Sequence, residues 1–309
     1  MKGFLISSLS LILTSSGMMN NHMCNFVPEN DLYIAADQKE GEETGITNEE
    51  FDSILNRIEK IYGPIIKAKG GTLEIRRLWT DGTVNASAER IGTTYRLNMY
   101  GGMARHKIMT ADGFMLVACH EMGHHLGGKP KYSNWWPIGS ESWASVEGQS
   151  DYFGTAKCMR RMFLDMTEEE LADFDHSNEF AAEKCAGVYE DQKDQYMCLR
   201  NAAAGVVLGN VLGELGNTGS VNLETPSTEV FSGINQKHPK AQCRADTYFQ
   251  GALCSVPFNV DFSDANHSTG ACGKDGGFVE GIRPKCWFNP STRSPRPTRG
   301  VAHQGKVFY

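Results

Sequence analysis

The pentapeptide HEMGH at residues 120–124 constrains the fold of this chain more than any other part of its sequence. On an α-helix, residues i and i+4 lie on one face, so the imidazoles of His120 and His124 can bind the same metal ion. Glu121 lies one step around the helix, where its carboxylate can take a proton from metal-bound water. The apolar run at 114–118 argues against the alternative of two surface histidines on a polar helix. The sequence therefore predicts a helix over 110–126 that carries a zinc site.

A catalytic zinc site needs a third protein ligand and one open position. Glu147 is the best candidate in the sequence, and Asp151 shares its helix face one turn later. We expect Asp151 to accept a hydrogen bond from the distal N–H of a ligand histidine and so to fix the tautomer of that ring. Two competing residues are weaker. Glu141 has no carboxylate four residues later, and His125 points about 100° away from the preceding histidine.

The N-terminus is typical of an export signal, which we place at residues 1–17. Lys2 supplies a positive charge, and the apolar stretch at 4–13 is too short to span a bilayer comfortably. The alternatives are a buried N-terminal helix and a membrane anchor. Since no later stretch is long and apolar enough to cross a membrane, we expect an exported mature protein, periplasmic or secreted, without a membrane span.

The cysteine content agrees with export. Nine cysteines without a C-x-x-C pair predict disulfides rather than a cysteine-ligated zinc site. An odd count leaves one thiol over, and we expect this to be Cys119, because it lies inside an apolar helix. Sequence does not fix the pairing of the other eight. The local pairs Cys243–Cys254 and Cys272–Cys286 are plausible.

The net charge of the chain limits the kinds of partner that it can bind. The formal net charge is −7, and no run of Lys and Arg is long enough to make a basic stripe. This balance argues against a nucleic-acid-binding protein.

The remaining pattern predicts an α+β fold with a small mixed or antiparallel sheet beside the active-site helix. A capping box at Thr47 opens a helix, and the Asp81-Gly82 dipeptide predicts a hairpin turn. We expect strands at 72–79, 83–89 and 94–100, and a helix at about 141–164. The predicted domain organisation is a lead-in at 18–46, a catalytic domain at 47–255 and an irregular, disulfide-pinned extension at 256–309.

The motif HEMGHHLGG followed by VEGQSDYFG resembles the CAAX-prenyl-protease/HtpX-like metallopeptidases, whose signature is HExxH followed by ExxxD. VNASA at 84–88, with a strand-like stretch and Gly-Gly after it, is similar to the edge strand of that family. HPKAQCR at 238–244 is similar to its late HP-x4-R motif. The resemblance covers roughly residues 84–250 and implies a zincin-like, gluzincin fold. The cysteines, the C-terminal extension and the lack of spanning helices depart from the well-known members and point to a soluble, exported branch.

The resemblance also implies roles for four more residues. Asn85 and Ala86 would bind the substrate backbone by β-augmentation, and His238 or Arg244 would stabilise the oxyanion of the tetrahedral intermediate. Three of these residues have an alternative. His238 would be a loop histidine without a role, Arg244 would pair with Asp151 or Glu147, and Asn85 begins an N-A-S sequon that matters only in a eukaryotic host.

These observations predict an exported zinc endopeptidase with one Zn²⁺ per chain. It would hydrolyse unfolded or extended polypeptides through a zinc-bound water activated by Glu121. One alternative is a catalytically silent protein that acts as a peptide-binding or chaperone-like module. Another is a latent precursor in which the tail or the lead-in blocks the cleft, with Cys24 as a zinc-capping thiolate. The sequence predicts no oligomeric state.

Overall fold

A computed structural model describes residues 23–37, 45–134, 140–174 and 177–290. The predicted signal peptide lies outside these residues. The described chain is a mixed α+β structure with small sheets. Its strands are β1 (Cys24–Asn25), β2 (Thr72–Leu78), β3 (Ala86–Ile91), β4 (Thr94–Tyr100), β5 (Lys131–Ser133), β6 (Glu141–Ser145), β7 (Gly233–Ile234) and β8 (Phe288–Asn289). Its α-helices are α1 (Asn48–Ala68), α2 (Gly101–Ala104), α3 (Ala111–Leu126), α4 (Glu147–Phe153), α5 (Met159–Met162), α6 (Glu168–Ala172), α7 (Glu179–Val188), α8 (Gln192–Leu215) and α9 (Ala241–Ala252).

The main sheet has the strand order β1-β3-β4-β2, with β3 antiparallel to both of its neighbours and β2 parallel to β4. The tight turn of this sheet joins β3 to β4 at Gly92, whose φ of 57° favours glycine. The hairpin predicted at Asp81-Gly82 is therefore wrong, because β2 and β3 are not neighbours. The Asp81 carboxylate instead accepts hydrogen bonds from the backbone and the hydroxyl of Thr83, which makes a local turn without pairing the two strands.

Helix α3 is the centre of the fold. Thr110 caps it by accepting a hydrogen bond from the backbone of Gly113, and residues 113–125 are all buried. A helix buried on every side must be surrounded by other elements, and α1, β3, α4 and α8 all pack against it. Phe51 of α1 meets Phe114 of α3 with ring centroids 5.1 Å apart. His120 and His124 are thereby fixed on a helix that cannot shift without disturbing the core.

The prediction of one helix over 141–164 is wrong for the first residues, which form a strand, and the helix is irregular in its middle. It begins as β6, which pairs with β5, and only then enters α4; a π-helical turn at Gly154–Cys158 leads into α5. Two serine hydroxyls favour the extended start. Ser142 accepts a hydrogen bond from the backbone of Ala144, and Ser145 donates one to the carbonyl of Gly128. Such local bonds compete with a helix.

Four disulfides link the described residues: Cys119–Cys158, Cys185–Cys198, Cys243–Cys286 and Cys254–Cys272. The prediction that Cys119 is the free thiol was wrong, because this side of α3 faces the π-helical turn rather than an apolar neighbour. The two predicted local pairs were wrong as well, since each of their cysteines joins segments that are further apart. The free cysteine is Cys24, which is buried.

The C-terminal segment up to residue 290 is pinned to the fold as predicted, and two of the four disulfides hold it. Trp287 is fully buried against Gly148, where an added Cβ would meet the indole at 2.2 Å. Four disulfides are compatible with an exported protein. In the described part of the chain, no helix combines the length and the hydropathy that a membrane crossing needs.

Candidate metal centre

His120, His124 and Glu147 form a buried cluster whose potential ligand atoms all lie within 4.8 Å of one another. The histidines come from successive turns of α3, and Glu147 is the first residue of α4. Gly123 allows this arrangement, because a Cβ at that position would lie 2.8 Å from the backbone of Ser150. The close contact of the two helices brings the three side chains together. A buried His-His-Glu group of this kind can bind a metal ion.

The hydrogen bonds of the two rings fix the side of each ring that faces the cluster. Nδ1 of His120 lies 2.7 Å from Oδ1 of Asp151, and Nδ1 of His124 lies 2.8 Å from the carbonyl oxygen of Ser145. Since a carboxylate and a carbonyl only accept, both Nδ1 atoms carry the proton. In neutral rings both Nε2 atoms then present lone pairs, and they lie 3.1 Å apart.

Glu147 adds a negative charge to this convergence. Its Oε2 lies 3.3 Å from Nε2 of His120, and its Oε1 lies 3.6 Å from Nε2 of His124. Two lone pairs and a carboxylate cannot face one another in a buried space unless a proton or a cation lies between them. The donor set, two imidazoles and one carboxylate, matches the ligands that zinc takes in catalytic sites. The residues therefore fit a zinc ion.

The electrostatics of the cluster indicate where protons reside when no metal is bound. Burial disfavours a charged ring, but the Asp151 carboxylate outweighs this and raises the pKa of His120 to about 9. Burial raises the pKa of Glu121 to about 8 and lowers that of His124 to about 4. Burial also opposes ionisation of Glu147, but attraction to His124 and a hydrogen bond from His120 hold its pKa well below the usual range. Without a metal ion, the raised pKa values favour one additional proton on His120 and one on Glu121.

Glu121 differs from the other buried carboxylates in having no partner. Its two oxygens are fully buried, and neither has a hydrogen-bond partner among the described residues. An unpaired buried carboxylate is costly and therefore rare. Glu121 directly follows His120 on α3, and besides burial, the charges of His120 and Glu147 act on its pKa. A carboxylate with no competing hydrogen bond and a raised pKa is chemically suited to receive and return a proton.

Asp151 and Arg244 form a buried ion pair behind His120. Nε and Nη2 of Arg244 lie 2.8 and 2.7 Å from the two oxygens of Asp151, and both side chains are at most 1% exposed. Nη2 also lies 3.2 Å from the hydroxyl oxygen of Tyr248. The sequence alternative in which Arg244 pairs with Asp151 is thus the arrangement present, and the contact expected between Asp151 and a ligand histidine is present too. The third nitrogen, Nη1, donates to the carbonyl of Phe26 at 2.6 Å.

Asn85, Ala86 and His238 contact the lead-in. The Asn85 amide exchanges two hydrogen bonds with the backbone of Val27, at 3.1 and 3.2 Å, and the Ala86 carbonyl accepts one from Phe26 at 2.9 Å. Nε2 of His238 lies 2.8 Å from the carbonyl oxygen of Asn25 and 3.6 Å from Glu147. The structure differs from the implied edge strand in one respect, while substrate binding at Asn85 and Ala86 stays a prediction. β1 covers that edge, because the two backbones satisfy each other there.

Several residues near the cluster escaped the sequence analysis. Tyr132 donates from its hydroxyl to Oε1 of Glu147 at 2.8 Å, and the Phe26 ring meets His120 edge-on at 5.1 Å. Neither residue belongs to a recognisable sequence motif. The only sequence feature that points to Tyr132 is its position shortly after the HEMGH helix. The rejected competitors lie elsewhere. His125 stacks on Trp143 at 4.7 Å, and Glu141 pairs with Lys129 at the surface. Trp135 and Trp136, which lie between β5 and β6 in the sequence, fall outside the described residues.

Comparison of the chain with protein-family models, with curated proteins and with solved structures finds no match.

Proposed function

We propose that this protein is a zinc-dependent endopeptidase with a zincin-like, gluzincin catalytic domain, exported from the cell. The observation that carries the proposal is the convergence of two imidazole lone pairs and the Glu147 carboxylate beside an unpartnered buried carboxylate, Glu121. Three ligands leave one coordination position open, as in catalytic rather than structural zinc sites. The disulfides and the resemblance of the HEMGH and EGQSD segments to one peptidase family support the same proposal.

The protein's own residues divide the reaction as follows. Zinc, when bound, supplies Lewis-acid chemistry that acidifies water and polarises a carbonyl. Glu121 accepts the proton of the attacking water and returns it to the leaving amine. His238 and Arg244 contact the backbone carbonyls of Asn25 and Phe26 beside the cluster. In the reaction they would donate to the developing oxyanion, and one such donor contributes about 3 kcal/mol. Asp151 holds the His120 ring in the tautomer whose Nε2 faces the cluster.

Cleavage mapping of an unfolded casein by mass spectrometry tests the proposal. We expect the zinc-loaded wild type to cleave and the chelated sample and the Glu121→Gln variant to be inactive. Glu141→Gln is the matched control, because Glu141 is a surface carboxylate that pairs with Lys129 and lies outside the cluster. Full activity of Glu121→Gln would refute its role as the base. Zinc binding of normal affinity without any cleavage would favour the peptide-binding module instead.

A further inference from the structure

The lead-in segment 24–27 lies along β3 in the manner of an added strand. Cys24 is paired with Ala88 and Asn25 with Ser87, antiparallel, and Phe26 donates to the Ala86 carbonyl. At Val27 the Asn85 amide takes over the pairing and bonds both the N–H and the C=O of that residue. Backbone pairing of this kind is how an extended peptide binds to an exposed sheet edge.

The same segment uses the two donors that the proposed reaction assigns to a substrate. His238 bonds the carbonyl of Asn25 at 2.8 Å, and Arg244 bonds the carbonyl of Phe26 at 2.6 Å. These two carbonyls therefore occupy the positions that a bound peptide would offer.

The side chains of Phe26 and Cys24 also cover the metal-binding cluster. The Phe26 ring is fully buried between the edge of the His120 ring and the guanidinium of Arg244, 4.5 Å from the ring centroid. Cys24 is 3% exposed, and its thiol lies close enough to Glu147 and Glu121 to feel their charges. With the segment in place, the three metal-binding side chains are 0%, 0% and 1% exposed, so a polypeptide cannot reach them.

We propose that residues 24–27 act as an internal pseudosubstrate: they occupy the peptide-binding edge of β3 and keep the metal centre closed until an extended peptide takes their place. This inference rests on the proposed peptidase function. It also names the class of peptide that competes best, an extended segment with a large apolar side chain at the position of Phe26. The thiol of Cys24 reports on the exchange, because it is buried while the segment is bound and becomes accessible when the segment leaves.

The test measures alkylation of Cys24 in the zinc-loaded full chain. The Glu121→Gln variant is incubated with N-ethylmaleimide, with and without a saturating cysteine-free unfolded casein, and the label is mapped by mass spectrometry. We expect slow labelling alone and at least about tenfold faster labelling with casein, since binding shifts the population towards the open form. Labelling that is unchanged by casein, in a protein whose wild type cleaves casein, would overturn the inference and leave the peptidase function standing.

A locked variant makes the test independent of labelling rates. Asn25 and Ser87 oppose each other directly in the antiparallel register, and such pairs lie within the Cα separation that a disulfide requires. We expect the double variant Asn25→Cys/Ser87→Cys, once its new disulfide is confirmed by peptide mapping, to bind zinc but to lose casein binding and cleavage. The single variant Asn25→Cys, which cannot form the new bond with Ser87, should retain both. Cleavage by the locked protein would overturn the inference. Casein-dependent labelling of Cys24 without cleavage by any sample would instead support the pseudosubstrate and refute the peptidase.

Discussion

The Asp151→Asn substitution affects metal binding and folding through different partners of one carboxylate, and a second variant can separate the two effects. One oxygen of Asp151 lies 2.7 Å from both Nδ1 of His120 and Nη2 of Arg244, and the other lies 2.8 Å from Nε of Arg244. An asparagine keeps the size but removes the charge, and its amide N–H points a donor at another donor.

We expect this substitution to lower both the zinc affinity and the free energy of unfolding. Loss of the carboxylate behind a ligand histidine weakens metal binding by about 10–100-fold, which corresponds to roughly 1.4–2.7 kcal/mol. Arg244 is 1% exposed and would be left buried without its counter-ion, which costs about 3–5 kcal/mol of the free energy of unfolding. The second cost is large against the stability of an ordinary domain, so a control for folding is needed.

The control is Arg244→Met, which breaks the same ion pair from the other side. It leaves Asp151 bonded to His120 and removes a positive charge from the neighbourhood of the metal. We expect both variants to unfold at lower urea concentration, whereas only Asp151→Asn loses zinc affinity in a competition titration with a fluorescent chelator. Arg244→Met should bind zinc at least as tightly as the wild type. Equal losses of affinity in the two variants would refute the argument, because the loss would then come from the fold rather than from the carboxylate.

Three further predictions concern the same centre and its support. Zinc binding at pH 7 should release about two protons, those of His120 and Glu121, and calorimetry in buffers of different ionisation enthalpy measures the number; no release would contradict the charge assignment. In the metal-free protein, the folded state keeps the His120 proton that the unfolded chain loses near pH 6.5, so urea titrations should show the free energy of unfolding falling as pH rises from about 6.5 to 9. The double variant Cys119→Ala/Cys158→Ala opens a loop with a sequence separation of 39 and should lose about 4 kcal/mol in the same assay; a loss below 1 kcal/mol would show that packing alone holds α3 to the π-helical turn.

The metal cluster could be predicted from the sequence because its geometry is local. His120 and His124 are one turn apart on a helix, and Glu147 and Asp151 are one turn apart on another, so each pair is fixed by helical periodicity. Only the meeting of the two helices is a long-range event, and small residues such as Gly123 mark where it is sterically allowed. The start of α1 at Thr47 was predictable for the same reason, since a capping box is a local pattern.

The errors lie where a distant partner decides the structure. The segment 141–145 has no strong preference of its own, and its pairing with β5 makes it a strand. Cys119 was assigned by its apolar neighbours in sequence, whereas the residue that matters is Cys158 on the facing turn. The parallel pairing of β2 with β4 likewise overrides the turn signal between β2 and β3.

The lead-in is the extreme case, since its partners Asn85 and Arg244 lie 58 and 218 residues away. Its contacts with the backbone of β3 and with His238 and Arg244 are hydrogen bonds that any extended peptide can replace one for one. Exchange therefore leaves no buried polar group unpaired, and the main loss is the burial of Phe26, worth about 1.5–3 kcal/mol. A competing peptide must also overcome the effective concentration of a tethered segment. A peptide with a large apolar side chain regains the burial that is lost when Phe26 leaves. A high concentration of unfolded substrate offsets the effective concentration of the tethered segment. The closed centre would therefore select for the unfolded polypeptides that the proposed peptidase cleaves.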